Sequence, residues 1–209
     1  MISYIGDISK ADATVLFYHA RRHVNILEFG CGASTQVLAA YCGISSLTSI
    51  DTDQGWIQKT MDNLKLLEID KEVHFESYSS FMQGIQNTTL NRGYDFIFVD
   101  GIDALRREFA IKLWPHLKVG GTMAFHDTRR AHDFRNVLEV LAQFQNEIGI
   151  VDFNAGHSNI TLVEKKKAEP YENWQITEDK KPWMLGYGDV PPEEVDKIKS
   201  LLKPEQNGN

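Results

Sequence analysis

From residue 9 to about 166, short apolar runs alternate with longer segments in which apolar residues recur every three or four positions. A run rich in β-branched and aromatic residues that stops after a few positions reads as a strand buried on both faces. The longer spacing instead lays one apolar stripe along a helix. The alternation predicts seven strands: Asn25–Phe29, Ser46–Asp51, Glu72–Glu76, Tyr94–Asp100, Gly121–His126, Gly149–Phe153 and Asn159–Glu164. The stripes Ile57-Met61-Leu64, Leu105-Phe109-Leu113 and Phe134-Val137-Leu141-Phe144 predict intervening helices, each able to cover one sheet face. Pro115 and the pair Gly120-Gly121 are expected to end the helix after the fourth strand. Only Asn154 to Ser158 separate the last two strands, too few residues for a crossover helix, so an antiparallel hairpin is expected there. The fold class is therefore α/β: a doubly wound, mostly parallel seven-stranded sheet ending in an antiparallel hairpin.

Composition changes near Lys167, and five of the six prolines lie beyond it. Residues 1–167 read as one domain and 168–209 as a C-terminal tail. In the tail, Pro191-Pro192 can start a short helix with Val195, Ile198 and Leu202 on one side. The expected role is a brace on the domain. The alternative is a lid, or a contact with a second copy in a homo-oligomer, built on Trp174 and Trp183.

The formal net charge is -7, and apart from Lys165-Lys166-Lys167 the basic residues are scattered, which disfavours a nucleic-acid partner. No apolar run has the length of a bilayer span, and Met1 to Arg22 lacks a basic start followed by an apolar block, so no membrane partner is expected and the protein is assigned to the cytoplasm. The two cysteines, Cys31 and Cys42, can build neither a disulfide framework nor a four-thiolate zinc site. Cys42 reads as a small buried residue at a helix end.

The segment Ile26 to Thr35 runs from a strand into a helix through Gly30-Cys31-Gly32. Two glycines there let the backbone pass close to a ligand, and Ser34 or Thr35 can cap the helix that carries Val37, Leu38 and Tyr41. Asp51 ends the second strand 21 residues after Gly30, where an acid reaches a ribose hydroxyl. A tight turn with no ligand is the alternative, and the glycine pair plus the acid outweigh it. The same spacing suits nicotinamide and flavin dinucleotides. Thr35, however, stands where their third glycine falls, and Glu28 stands two residues before Gly30. A carboxylate there repels a diphosphate and attracts an ammonium or sulfonium group, so the charge favours a cationic amino-acid nucleotide.

The apolar strand before Asp100 and the next strand before His126-Asp127-Thr128 both end in acids. If the two strands are neighbours, about 4.8 Å apart, Asp100 and Asp127 face one pocket. Carboxylates that close need a proton or a cation between them. A Mg²⁺ on Asp100 and Asp127 is one solution, and it would also activate a substrate hydroxyl. His126 is the alternative base. Asp100, His126 and Asp127 are thus the catalytic candidates. The competing structural roles are a strand-end cap for His126 and a helix N-cap for Asp127.

With its E-x-G-x-G turn at Glu28 to Gly32 and its later H-D-T at His126 to Thr128, the sequence resembles the class I S-adenosylmethionine-dependent methyltransferases, especially the bacterial small-molecule O-methyltransferase-like group, over residues 9 to 166. The resemblance implies a Rossmann-like methyltransferase fold, S-adenosylmethionine as cofactor and a small-molecule acceptor. It implies that Glu28 holds the methionyl amino group, that Gly30, Cys31 and Gly32 line the methionine with Ser34 and Thr35 near it, and that Asp51 and Thr52 meet the ribose. Ser77 and Tyr78 fall where relatives meet the adenine, often with a glycine-aspartate pair, and Asp100 falls beside the donor. Metal-dependent catechol-type O-methyltransferases are similar at the two strand ends, which implies Mg²⁺. Thr128 replaces their asparagine, and Asp103 stands where they often carry a lysine. The expected function is methyl transfer to a hydroxyl of a small acceptor such as a sugar or phenol. A nicotinamide-dinucleotide-dependent oxidoreductase and a catalytically silent S-adenosylmethionine-binding protein are the alternatives.

Overall fold

The structure is a computed structural model that describes residues 6–41, 46–87, 93–166 and 196–197. Strands β1 (Asn25–Phe29), β2 (Ser46–Asp51), β3 (His74–Ser77), β4 (Tyr94–Val99), β5 (Leu117–Phe125), β6 (Ile148–Asp152) and β7 (Thr161–Lys165) form one sheet in the order β3-β2-β1-β4-β5-β7-β6. The first five run parallel, and β7 lies antiparallel between β5 and β6. The doubly wound sheet and its closing hairpin are those the alternation predicts. Helices α1 (Lys10–Ala20), α2 (Ala33–Tyr41), α3 (Gln54–Leu66), α4 (Tyr78–Asn87), α5 (Asp103–Leu113) and α6 (Ala131–Gln143) flank it.

The two-residue period of a strand divides the core into two layers. Leu27, Phe29, Ile97 and Val99 pack with Phe81 of α4, Phe109 of α5 and Phe134 of α6. Ile26, Phe96 and Phe98 pack with Leu16 of α1 and Val37 and Leu38 of α2. The same alternation sends Glu28 to the second layer, an acid in an otherwise apolar run of β1. Helix α1 begins with a capping box: the Ser9 hydroxyl accepts from Asp12 N at 3.1 Å, and the Asp12 carboxylate accepts from Ser9 N at 3.3 Å.

Several boundaries differ from the sequence pattern, among them that of β7, which begins at Thr161 and not at Asn159. The glycine pair does not end a helix. Helix α5 stops at Leu113, a single turn at Trp114–His116 carries Pro115, and β5 starts at Leu117. Gly120 and Gly121 sit inside β5, where its register against β4 jumps from Tyr94↔Leu117 to Phe96↔Thr122. Gly120 has φ +81°, and a Cβ on Gly121 would lie 2.8 Å from the Asp95 carbonyl, so the glycines serve a bulge. The edge strand β3 begins at His74, two residues later than its apolar pattern suggests. No described helix is long and apolar enough to cross a membrane. Cys42, Trp174, Trp183 and the tail helix expected from Pro191 lie outside the described residues, except that Asp196 and Lys197 are helical and exposed.

Phe109 is fully buried, with its ring 4.7 Å from that of Phe29 beneath the glycine turn. Phe109→Ala should cost about 3 to 5 kcal/mol and lower the melting midpoint by roughly 6 to 20 °C. A calorimetric shift below a few degrees would show that this layer is not tightly packed.

Candidate active site

The sheet order reverses between β1 and β4, and the chain leaves both strands into the crevice this opens. Gly30 has φ +95°, and a Cβ on it would lie 2.5 Å from the Asp100 carbonyl oxygen, so only glycine lets the two exits cross. Gln36 N donates to Gly32 O at 3.3 Å, which makes Gly32 the residue from which α2 starts. Ser34 and Thr35 therefore lie within the first turn of α2 and do not cap it from outside. Thr35 Oγ1 accepts from Gly32 N at 2.8 Å and donates to Glu28 Oε2 at 2.6 Å, and Ser49 Oγ donates to the same oxygen at 2.5 Å.

Glu28 is thus a brace beneath the turn. It is 0% exposed, and its second oxygen meets no hydrogen-bond donor among the described residues. Burial pushes its carboxyl up to about 7, against the hydroxyls of Ser34, Ser49 and Thr35, which favour the charged form. The sequence pattern suggested a fully charged carboxylate facing a cationic ligand; a buried group that titrates near neutrality is a different thing. Asp51 holds the turn from the other side: Oδ2 accepts from Cys31 N at 3.0 Å and Oδ1 from Asp53 N at 3.0 Å. Trp56 Nε1 donates to Cys31 O, pinning α3 to the turn. Burial pushes the Cys31 thiol up, which leaves it a packing residue.

A cavity of about 300 Å³ opens over these strand ends, lined by Gly30 to Ser34, Asp51, Thr52, Asp100, His126 and Asp127, all but Ala33 expected from the sequence. Glu28, Thr35, Ser77 and Tyr78 do not line it. Tyr78 instead packs its ring 5.0 Å from Phe29, and Ser77 ends the edge strand. Sequence reasoning missed Asp7, Ile8, Trp56, Ile102 and Arg106 on the cavity wall.

Beneath the cavity lies a dense set of ionic contacts. His126 Nδ1 is 3.0 Å from Asp100 Oδ1 and 3.4 Å from Asp127 Oδ1, and its Nε2 is 3.5 Å from Asp12 Oδ2. Burial opposes charge on the ring, but the three carboxylates outweigh it and push the imidazole up to about 12. Burial likewise opposes charge on Asp12, yet bonds from His126, Ser9 and Asn159 hold it at about 2. A ring kept protonated has no lone pair with which to take a proton, so His126 is not arranged as a base. It does not cap its strand either, because its partners are carboxylates. Asp127 adopts φ +60°, a strained conformation outside glycine, and α6 is preceded by Arg130, so Asp127 is not its N-cap. Burial works against the charge of Asp127, but His126, Arg130 and Arg106 hold its carboxyl well below the usual range.

Arg106, 7% exposed, sits among the acids. Its Nη1 is 3.2 Å from Asp127 Oδ2 and 3.0 Å from Asp133 Oδ1, its Nη2 3.2 Å from Asp100 Oδ1 and 3.3 Å from Asp103 Oδ1, and its Nε donates to Gly101 O at 2.6 Å. Ligand atoms of Asp100, His126 and Asp127 do lie within 4.8 Å of one another, as a metal would require. The donor set nevertheless does not fit Mg²⁺. The Arg106 guanidinium and the His126 ring already engage both carboxylates. Thr128, the residue after Asp127, is fully buried, with its hydroxyl 2.9 Å from Asn154 Oδ1 and 2.8 Å from Thr161 Oγ1, and adds no ligand.

A reversing parallel sheet with an antiparallel end, a glycine turn after β1 and acids at the ends of β2, β4 and β5 define the class I methyltransferase architecture. Residues 27–128 match the family model described as a methyltransferase domain. No curated protein matches the sequence. Among solved structures, an O-methyltransferase from Bacillus cereus in complex with SAH is similar, with 16% identity over 76% of this chain and 83% of that one and a TM-score of 0.61. The O-methyltransferase TomG from Streptomyces achromogenes, in complex with SAM, has 15% identity over 77% and 82% and a TM-score of 0.59. A methyltransferase-like protein from Silicibacter pomeroyi has 17% identity over 98% and 100%, also with a TM-score of 0.59. At such identities the likeness establishes the fold. Residues 27–128 are thus similar to methyltransferase domains, and the sheet around them has the fold those proteins share.

The burial of Glu28 generates a pH prediction. The fold raises this carboxyl from 4.5 to about 7, so stability is fully present below about 4.5 and is lost as pH rises through about 7. The loss is on the order of 3 kcal/mol. Glu28→Gln can keep an acceptor oxygen toward Thr35 and Ser49 without the ionisation. Its melting temperature should vary less between pH 5 and 8 (roughly the window the shift spans) and exceed that of the parent at the upper end. Parallel curves for the two proteins would refute the shift.

Proposed function

We propose that this domain transfers the methyl group of S-adenosylmethionine to a hydroxyl of a small acceptor, without help from a metal. The observation that carries the reading is one cavity in which the glycine turn, the ribose-side acid Asp51 and the carboxylate pair Asp100 and Asp127 meet. The residues present fit the cofactor: the walls bear Asp7, Asp51, Asp100 and Asp127, an acid-rich lining that suits a sulfonium and an ammonium and repels a diphosphate. That lining supports the methyl donor over a nicotinamide dinucleotide and takes over the role the sequence pattern gave to Glu28.

When bound, S-adenosylmethionine supplies an electrophilic methyl group. The turn from Gly30 to Gly32 and the Asp51 carboxylate would hold its methionine and ribose ends. Asp100, at the crossing with Gly30, would hold the positive part of the donor, and Asp127, on the neighbouring strand end, would receive the hydrogen bond of the acceptor hydroxyl. A carboxylate held charged by Arg106, Arg130 and His126 is a weak base, so its work is to orient the oxygen and take the proton as the carbon–oxygen bond forms. Ile8 and Ile102 on the rim give the acceptor an apolar contact.

At a hundred times its dissociation constant, S-adenosylhomocysteine should add about 2.7 kcal/mol and raise the melting midpoint by roughly 5 to 10 °C, whereas NADH should not. A response to NADH alone would overturn the cofactor assignment. Asp51→Ala should weaken S-adenosylhomocysteine binding by roughly 30- to 150-fold in calorimetry. Asp127→Asn should keep that binding while turnover of a hydroxylated acceptor, found by screening sugars and phenols with labelled donor, falls by about 100-fold. The opposite pattern in the two variants would reverse the assigned roles.

A further inference from the structure

Arg106 belongs by its position to the buried stripe of α5, in line with Phe109, Ala110 and Leu113. A charge at such a position is costly unless it is fully paired, and here every edge of the guanidinium is engaged. Nε meets the Gly101 carbonyl, Nη1 meets Asp127 and Asp133, and Nη2 meets Asp100 and Asp103. Asp133 is itself buried on α6 and also binds Arg130 Nε at 2.8 Å, so the fork is fixed by two helices and cannot swing aside on its own stem.

This geometry puts a fixed positive charge between the two carboxylates that end β4 and β5. A divalent ion would need oxygen ligands at about 2.1 Å from the same two groups. It could enter only by displacing a guanidinium that holds five groups, or by sitting beside it at the cost of like-charge repulsion.

We infer that Arg106 is the resident cation of this site: it bridges Asp100 and Asp127 and holds them in place as a divalent metal would, and methyl transfer proceeds without a metal ion. Arg106 is a positioning residue, acting through the two aspartates. The inference rests on the methyl-transfer reading only for its activity arm, because metal exclusion can be measured by itself.

The test is Mn²⁺ binding to the full chain, followed by electron paramagnetic resonance of the free ion. The parent protein should leave the signal unchanged at millimolar ion. Arg106→Ala, with the cation gone and the acids left, should bind Mn²⁺ roughly tenfold or more tighter, and adding Asp127→Asn should abolish the gain. Arg106→Lys, which keeps the charge, should exclude Mn²⁺ as the parent does, and it is the variant to read if the alanine form does not fold. With an acceptor in hand, transfer by the parent should be unchanged by EDTA. Mn²⁺ bound by the parent and lost in Asp127→Asn, Mn²⁺ bound by the lysine form at millimolar ion, or activity removed by EDTA and restored by Mg²⁺, would overturn the inference. If no acceptor is ever turned over but the Mn²⁺ pattern holds, the function assigned to the domain fails while the cation assignment stands.

Discussion

Carboxylates gathered away from water must be matched by positive charge, and that requirement organises this molecule around its site. Asp12, Asp100, Asp103, Asp127 and Asp133 converge on Arg106, Arg130 and His126. They come from the first turns of α1, α5 and α6 and from the ends of β4 and β5, so the ionic set ties both helical layers to the centre of the sheet. Because Asp12 also accepts from Asn159 N at 2.6 Å, the hairpin joins the same assembly. Removing one member strands its neighbours.

The fold was legible in the sequence because each strand is a short apolar run and each helix a stripe, and because the last connection is too short to cross over. The bulge at Gly120-Gly121 was not legible: two glycines after a proline read as a helix stop, and only the register of β5 against β4 shows otherwise. The mouth of the site was legible as well, since acids that end parallel strands must face the crevice. What holds the mouth was not. Arg106 and Asp12 did leave a trace: each is a charge on the buried stripe of its helix, beside Phe109, Ala110 and Leu113 in one case and Val15, Leu16 and Ala20 in the other. A charge on an apolar face points to a partner but does not name it, and the partners here are 3 to 147 residues away.

Glu28 shows how a motif can be right in place and different in physics. Its spacing from the glycines marks the nucleotide turn, but two-residue alternation turns its side chain under α2 and into the hydroxyls of Thr35 and Ser49. Sequence spacing fixes where a residue enters the fold. The strand's pleat then decides whether it faces ligand or core.

The balance of charge bears on rate as well as on binding. Five carboxylates against two arginines and a protonated imidazole leave the set with surplus negative charge, which draws in a cationic donor. On the proposed reading the donor's positive charge shrinks as the methyl leaves, so an uncompensated field would favour the starting state over the transition state and slow the step. On that reading Arg106 and His126 would weaken the field where the methyl moves, beside Asp100 and Asp127. Asp51 and Asp7 act at the other parts of the cavity, where charge does not change during transfer. On that reading the cations beside Asp100 and Asp127 would let an acid-lined site both bind a cationic donor and release its methyl group.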